Sequence, residues 1–149
     1  MTFKQKVHAQ YLQLVQDKID VFRDRISALT EDSKNDAKGS AGDKHETALS
    51  MMHLEQEKAN YKLQEYLAQH DILRKIDLTQ VPTKVIIGSL VQVNKMWLYV
   101  SVALPKISID DQTVFAISPQ SPLGLKIFGQ SHGFSFALNG TRFEIITIE

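Results

Sequence analysis

Cysteine is absent from the 149-residue chain, which removes disulfides, thiolate nucleophiles and every cysteine-based zinc site from consideration. Long hydrophobic runs are absent too. The longest largely apolar stretch, Trp97 to Leu104, is far below the roughly 18 to 20 residues that a membrane-spanning helix needs, so no membrane partner is expected. The two lysines near the start are not followed by an apolar segment, so no secretory signal is expected, and a cytoplasmic location is the default. Neither charge is in excess, with 17 basic and 17 acidic side chains. A general nucleic-acid binder draws its affinity from surplus Lys and Arg, and sequence-specific DNA binding is not expected. What remains, 43% hydrophobic and 23% charged, is the composition of a globular protein with one ordinary core or two small ones.

Proline and glycine are unevenly spread. The first 78 positions hold no proline and only Gly39 and Gly42, with 12 basic and 13 acidic residues; the remaining 71 hold all four prolines, five glycines, and 5 basic and 4 acidic residues. This divides the chain into a helical region over 1–78, a linker over 79–83 and a β-rich domain over 84–149. In the first region Leu12, Val15, Ile19, Phe22, Ile26 and Leu29 alternate in steps of three and four, the seam of a coiled coil. Past the glycines, Leu49, Met52, Gln56, Ala59, Leu63, Tyr66, His70 and Leu73 resume the pattern, with Gln56 and His70 as polar interruptions. A fold-back near Ser40 and Ala41 pairs Leu29 with Met52, Ile26 with Gln56, Phe22 with Ala59, Ile19 with Leu63, Val15 with Tyr66, Leu12 with His70 and His8 with Leu73. That is an antiparallel helical hairpin, with an arm from Gln5 to Asp36 roughly 48 Å long at 1.5 Å per residue. The whole stripe, His70 and the Met51, Met52 pair included, reads as core.

In the second region Lys84 to Asn94, Trp97 to Leu104 and Thr113 to Ser118 are strand candidates. Ser121, Pro122 and Gly129 bracket a short helix, as N-cap, first helical residue and terminator. Phe134 to Leu138 and Thr141 to Ile148 flank Asn139-Gly140, the signature of a two-residue type I′ hairpin. The expected order is β-β-β-α-β-β, and the alternation of Phe134, Phe136 and Leu138, and of Phe143, Ile145 and Thr147, implies one buried sheet face. The expected fold class is therefore α+β.

The segment from Gly39 to Thr47 is a polar cluster at the end of a long lever. A phosphate-binding loop fails because Asp43 separates Gly42 from Lys44 and a helix precedes it. A zincin pair fails because Leu49 stands where the second histidine would follow His45-Glu46. Asp43 and Glu46 share one side of a helix start, with Cβ atoms about 5 to 6 Å apart. That spacing is a capping box for the second helix, and it also suits presentation of two carboxylates to an Mg²⁺ ion otherwise held by a partner.

These residues resemble the Gre transcript-cleavage factors of bacterial RNA polymerase. Gly42-Asp43-Lys44-His45-Glu46-Thr47-Ala48 is similar to the acidic tip motif of that family, and Ser121-Pro122-Leu123-Gly124, followed by Ile127 and Gly129, is similar to its C-terminal signature. The resemblance implies a coiled coil that enters the polymerase secondary channel and an FKBP-like C-terminal domain that docks near the channel entrance. It further implies that Asp43 and Glu46 act at the polymerase active site, helping to hold Mg²⁺ jointly with the polymerase and to orient the water that cuts backtracked RNA. On this reading the chain is an accessory factor, not an enzyme, binds no metal by itself and meets the nascent RNA 3′ end only indirectly. Lys44, His45 and Thr47 become candidate contacts at the tip.

The sequence departs from the family pattern at Leu49-Ser50, Gln130 and Gly133-Phe134, which bears on the polymerase surfaces contacted. The stretch from Glu31 to Glu46 carries five acids and three lysines, a local charge that suits a metal or a protein channel better than bare RNA. Three alternatives stand beside cleavage stimulation: a channel-occupying regulator without cleavage activity; an FKBP-like peptidyl-prolyl isomerase or chaperone, which would need an aromatic-lined pocket; and a purely structural coiled-coil adaptor, which would not need Asp43 and Glu46 at the far end of the arm.

Overall fold

The computed structural model describes residues 1–37 and 43–149, and the side chains of residues 36, 37 and 43–45 also fall outside the description. Two long helices come first, α1 (Phe3–Ala37) and α2 (Asp43–Arg74), followed by β1 (Leu90–Val93), β2 (Met96–Val100), β3 (Leu104–Ile109), β4 (Gln112–Ile117), α3 (Pro122–Ile127), β5 (Ser135–Leu138) and β6 (Thr141–Ile148). The fold is α+β, a long helical hairpin followed by one mixed sheet. Two compact units can be separated, Gln13–His70 and a second formed by Met1–Leu12 with Asp71–Glu149.

In the hairpin unit the three-four seam buries Val15, Ile19, Ala59 and Leu63, while Phe22, Ile26, Leu29, Leu49, Met52 and Tyr66 are half-buried. Two helices alone cannot enclose a seam, so burial is incomplete along much of its length. Phe22 and Ala59 line one small cavity, with Arg25, Glu55, Lys58 and Lys62 around its rim. The Phe22 ring lies 5.7 Å from that of Tyr66. Gln56, one of the two polar residues in the seam, donates to Thr30 Oγ1 at 3.1 Å, and Thr30 donates in turn to the Ile26 carbonyl at 2.9 Å. The interruption is thus satisfied by its neighbours rather than left bare. Met51 departs from the core reading: it is 60% exposed, because it stands one position off the seam and turns away from it.

In the sheet unit the strand order is β3-β4-β2-β1-β6-β5. All neighbours are antiparallel except β2 and β4, which run parallel, with Leu98 opposite Phe115 and Val100 opposite Ile117. One face packs Val91, Val93, Leu98, Val100 and Ile145 with Val85 and Ile127, closed by Phe134, Phe136 and Phe143. On the other face the first turns of α1 cover Tyr99 and Trp97. β2 is therefore covered on both faces, which accounts for its nearly unbroken apolar sequence.

Four strands, not three, precede α3. The run from Trp97 to Leu104 bends at Ser101 and Val102, so that β2 ends at Val100 and Leu104 opens β3. Pro105 lies in β3, which is tolerated because β3 is an edge strand. Asp110 and Asp111 form the following turn at φ 52 and 62, a left-handed pair that two aspartates adopt in place of Asn-Gly. The Asn139-Gly140 hairpin forms as the sequence implies, at φ 51 and 79, with Leu138 opposite Thr141. The expected strand from Lys84 to Asn94 is shorter, confined to Leu90–Val93 with one bridge from Lys84 to Ser131.

Candidate functional site

Helix α2 begins at Asp43, so Asp43 and Glu46 fall in its first turn, where carboxylates are favoured by the positive end of the helix dipole. The Glu46 and Thr47 side chains are exposed, and Ala48 and Leu49 are half-buried. The side chains of Asp43, Lys44 and His45 lie outside the described residues, as does all of Gly39 to Gly42. The Asp43–Glu46 capping box and a carboxylate pair aimed at a metal both rest on that undescribed turn. Of the charges nearest it on α1, Glu31 pairs loosely with Lys34 at 3.7 Å. Among the described residues, no three His, Asp or Glu side chains gather as a metal cluster, and no helix is long and apolar enough to cross a membrane.

The second sequence signature lies at the start of α3. Ser121 is its N-cap in extended backbone, its Oγ accepts from the Gly124 N–H at 3.0 Å and donates to the Ser118 carbonyl at 2.8 Å, and Pro122 opens the first turn. Leu123 packs against the sheet core. Gly124 is buried, and a Cβ there would stand 2.1 Å from the Ser118 carbonyl oxygen. Each of the four residues has a packing or capping role inside the sheet unit.

A third polar group was not singled out by sequence reasoning. His8 Nδ1 lies 2.7 Å from the Tyr99 hydroxyl, and Tyr11 Oη lies 2.9 Å from the Pro105 carbonyl and 3.1 Å from that of Val114, fastening the first turns of α1 to β2, β3 and β4. Burial holds the His8 imidazole below its ordinary value, with the nearby Lys4 charge adding to the effect. Burial likewise lowers Lys4, against the opposing pull of Glu149 and Asp77, raises Tyr11 to about 12, and raises Tyr99. Which of the two groups donates is set by the His8 tautomer. The signal that could have found this group is the extension of the apolar stripe backwards through Val7 and Tyr11, which places Lys4 and His8 beside it.

The aromatic residues of the sheet unit are occupied. Trp97 meets Phe3 edge-on at 5.2 Å, Tyr99 stacks on Tyr11, and Phe134, Phe136 and Phe143 stack in sequence. An open cavity of about 440 Å³ in this unit is lined by Gln80, Val81, Pro82, Thr83, Lys84 and Ile86 and carries no aromatic wall.

No protein-family model matches the chain, and no curated protein does. Among solved structures, one described as the transcription factor Gfh1 aligns over 92% of this chain and 92% of its own, at 18% identity and a TM-score of 0.36.

Proposed function

We propose that this chain is an accessory factor of bacterial RNA polymerase, which enters the secondary channel with its helical hairpin and stimulates cleavage of backtracked RNA by the polymerase active site. The observation that carries the reading is that two helices, 35 and 32 residues long, form the hairpin, the second opening at Asp43 with the Glu46 side chain exposed in its first turn. An arm of that length carries a few side chains deep into a partner, and its acids suit a site where charge must be balanced by a metal. Two carboxylates from one helical turn make only part of an Mg²⁺ shell, which agrees with an ion whose other ligands come from the polymerase and from phosphate. The ion supplies charge stabilisation and an activated water. Asp43 and Glu46 hold and orient, while the sheet unit serves as the docking body. The commitment of Trp97, Tyr99 and the three stacked phenylalanines to packing speaks against an aromatic-lined isomerase pocket.

The test uses stalled, backtracked elongation complexes with wild type beside Asp43→Ala/Glu46→Ala. Metal-dependent release of short 3′ fragments by wild type alone, with polymerase binding retained in the double variant, supports the proposal. Binding without cleavage by wild type replaces it with a channel-occupying regulator, and absence of binding refutes both.

A further inference from the structure

The outer side of α2 carries a second stripe in steps of three and four, Leu54, Lys58, Tyr61, Glu65 and Ala68, with Lys58 on its flank at the rim of the Phe22–Ala59 cavity. All five are exposed, Leu54 at 53% and Tyr61 at 75%, and Met51, 60% exposed, extends the stripe towards the start of the helix. A two-helix hairpin in water has no use for leucine, methionine and tyrosine on its outer face, where polar residues are the rule. Burial within this unit does not explain them, and their heptad spacing is that of a helix-to-helix seam.

The order of residues along the stripe identifies the helix that fits it. Laid antiparallel on a copy of itself, with Tyr61 on the axis, the stripe sets Lys58 against Glu65 of the copy, Glu65 against Lys58, and Leu54 against Ala68. The pattern is self-complementary in charge and in size, a large residue facing a small one on each side of a central tyrosine pair. A two-fold axis requires this, since each contact must occur twice with the partners exchanged. Parallel pairing would instead set Lys58 on Lys58 and Glu65 on Glu65, like charges in register. We propose that the outer face of α2 is a self-association surface, joining two copies of this chain antiparallel through Leu54, Lys58, Tyr61, Glu65 and Ala68.

Within one chain Lys58 pairs with Glu55 at 3.8 Å and Glu65 with Lys62 at 3.1 Å. These are exposed pairs of three-residue spacing and exchange readily for contacts across the axis. Lys62 is the opposing element, since it flanks the seam and meets its own copy near the axis. Only two large apolar side chains, Leu54 and Tyr61, come from each chain within the paired span, so the association is weak. The surface stands on α2 alone and does not depend on the polymerase reading. Where both hold, a hairpin paired along α2 is withheld from the channel, and self-association competes with polymerase binding.

The test is sedimentation equilibrium of the full chain up to roughly 0.5 mM, a range that captures dissociation constants from micromolar to near millimolar. Wild type is expected to dimerise. Lys58→Glu alone and Glu65→Lys alone each raise the dissociation constant roughly ten- to thirtyfold, from two lost attractions and two new repulsions. The double variant Lys58→Glu/Glu65→Lys restores it, and Lys62→Gln lowers it. Circular dichroism confirms the fold of each variant, whose changes lie on exposed helix positions. A monomer throughout the range, or a dimer indifferent to the single reversals or not rescued by the double one, overturns the proposal. Each outcome is independent of RNA cleavage, so its failure leaves the polymerase reading untouched.

Discussion

Replacing Gly124 by alanine is the sharpest test of how α3 is built, because two effects of opposite sign compete. Gly124 lies inside a helix and is not among the positive-φ residues. On helix propensity alone alanine is better by about 1 kcal/mol, and such replacements usually stabilise. Packing decides otherwise. The new Cβ would stand 2.1 Å from the Ser118 carbonyl oxygen, 2.8 Å from Ser121 Oγ and 3.0 Å from the Pro119 carbonyl carbon. Backbone must retreat by about 1 Å to reach ordinary contact, and the Ser118 carbonyl is the acceptor for both the Ser121 N–H at 3.1 Å and the Ser121 hydroxyl at 2.8 Å. Overpacking of this kind costs about 2 kcal/mol, and two weakened hydrogen bonds about 1 kcal/mol each. Less the propensity gain, Gly124→Ala destabilises by about 3 kcal/mol, a fall in Tm of roughly 12 °C or more for a unit of this size. Trp97, the one tryptophan, lies in β2 of the same unit, so its fluorescence during thermal unfolding reads the effect. Gly129→Ala is the control: its φ is +79 but no atom lies within 4 Å of the added carbon, so only backbone strain of about 1 to 2 kcal/mol applies. A Gly124→Ala protein that melts at or above the wild-type temperature refutes the close-approach argument.

Three further outcomes follow from the packing of the two units. Tyr99→Phe removes the hydroxyl partner of His8 Nδ1 and leaves a buried ring nitrogen unpaired, a loss of about 1 to 2 kcal/mol by denaturant titration, whereas an unchanged midpoint would mean that the hydroxyl contact is replaced by water. Because burial lowers His8 in the fold, the unfolded chain binds the extra proton first, so the His8 contribution is complete above about pH 6.5 and declines as pH falls below it. Midpoints measured between pH 7.5 and pH 5, approximate bounds set around that ordinary value, should fall towards acid in wild type and less so in His8→Gln; equal slopes would exclude His8 as the source. Leu63→Ala empties one of the four buried seam positions of the hairpin unit and should cost about 2 to 3 kcal/mol, read as faster amide exchange over Gln13–His70; unchanged exchange there would show that the seam contributes little.

The hairpin and the terminal turn were legible because each rests on local periodicity or local backbone preference. Steps of three and four name the seam, and Asn139-Gly140 names its turn whatever surrounds it. The exposed outer stripe of α2 obeys the same steps, yet the Met51, Met52 pair reads as core from sequence, because spacing alone does not say which of two adjacent stripes faces the partner helix. β3 was not legible: Pro105 argues against a strand unless its edge position is known, and Asp110-Asp111 is a turn only where the strands on either side demand left-handed backbone. The His8–Tyr99 pair was hidden for a different reason. Its members are 91 positions apart, and a histidine beside an apolar stripe carries no mark of the hydroxyl that will satisfy it. The two family-like signatures part company on the same grounds. Ser121 to Gly124 is explained by a cap, a first-turn proline, a leucine packed on the sheet core and a close approach to Ser118, so its presence follows from folding without any partner. Glu46 is exposed on the first turn of α2, where packing places little constraint on residue type. A signature that the fold accounts for says little about function, so the decisive functional variants belong at Asp43 and Glu46.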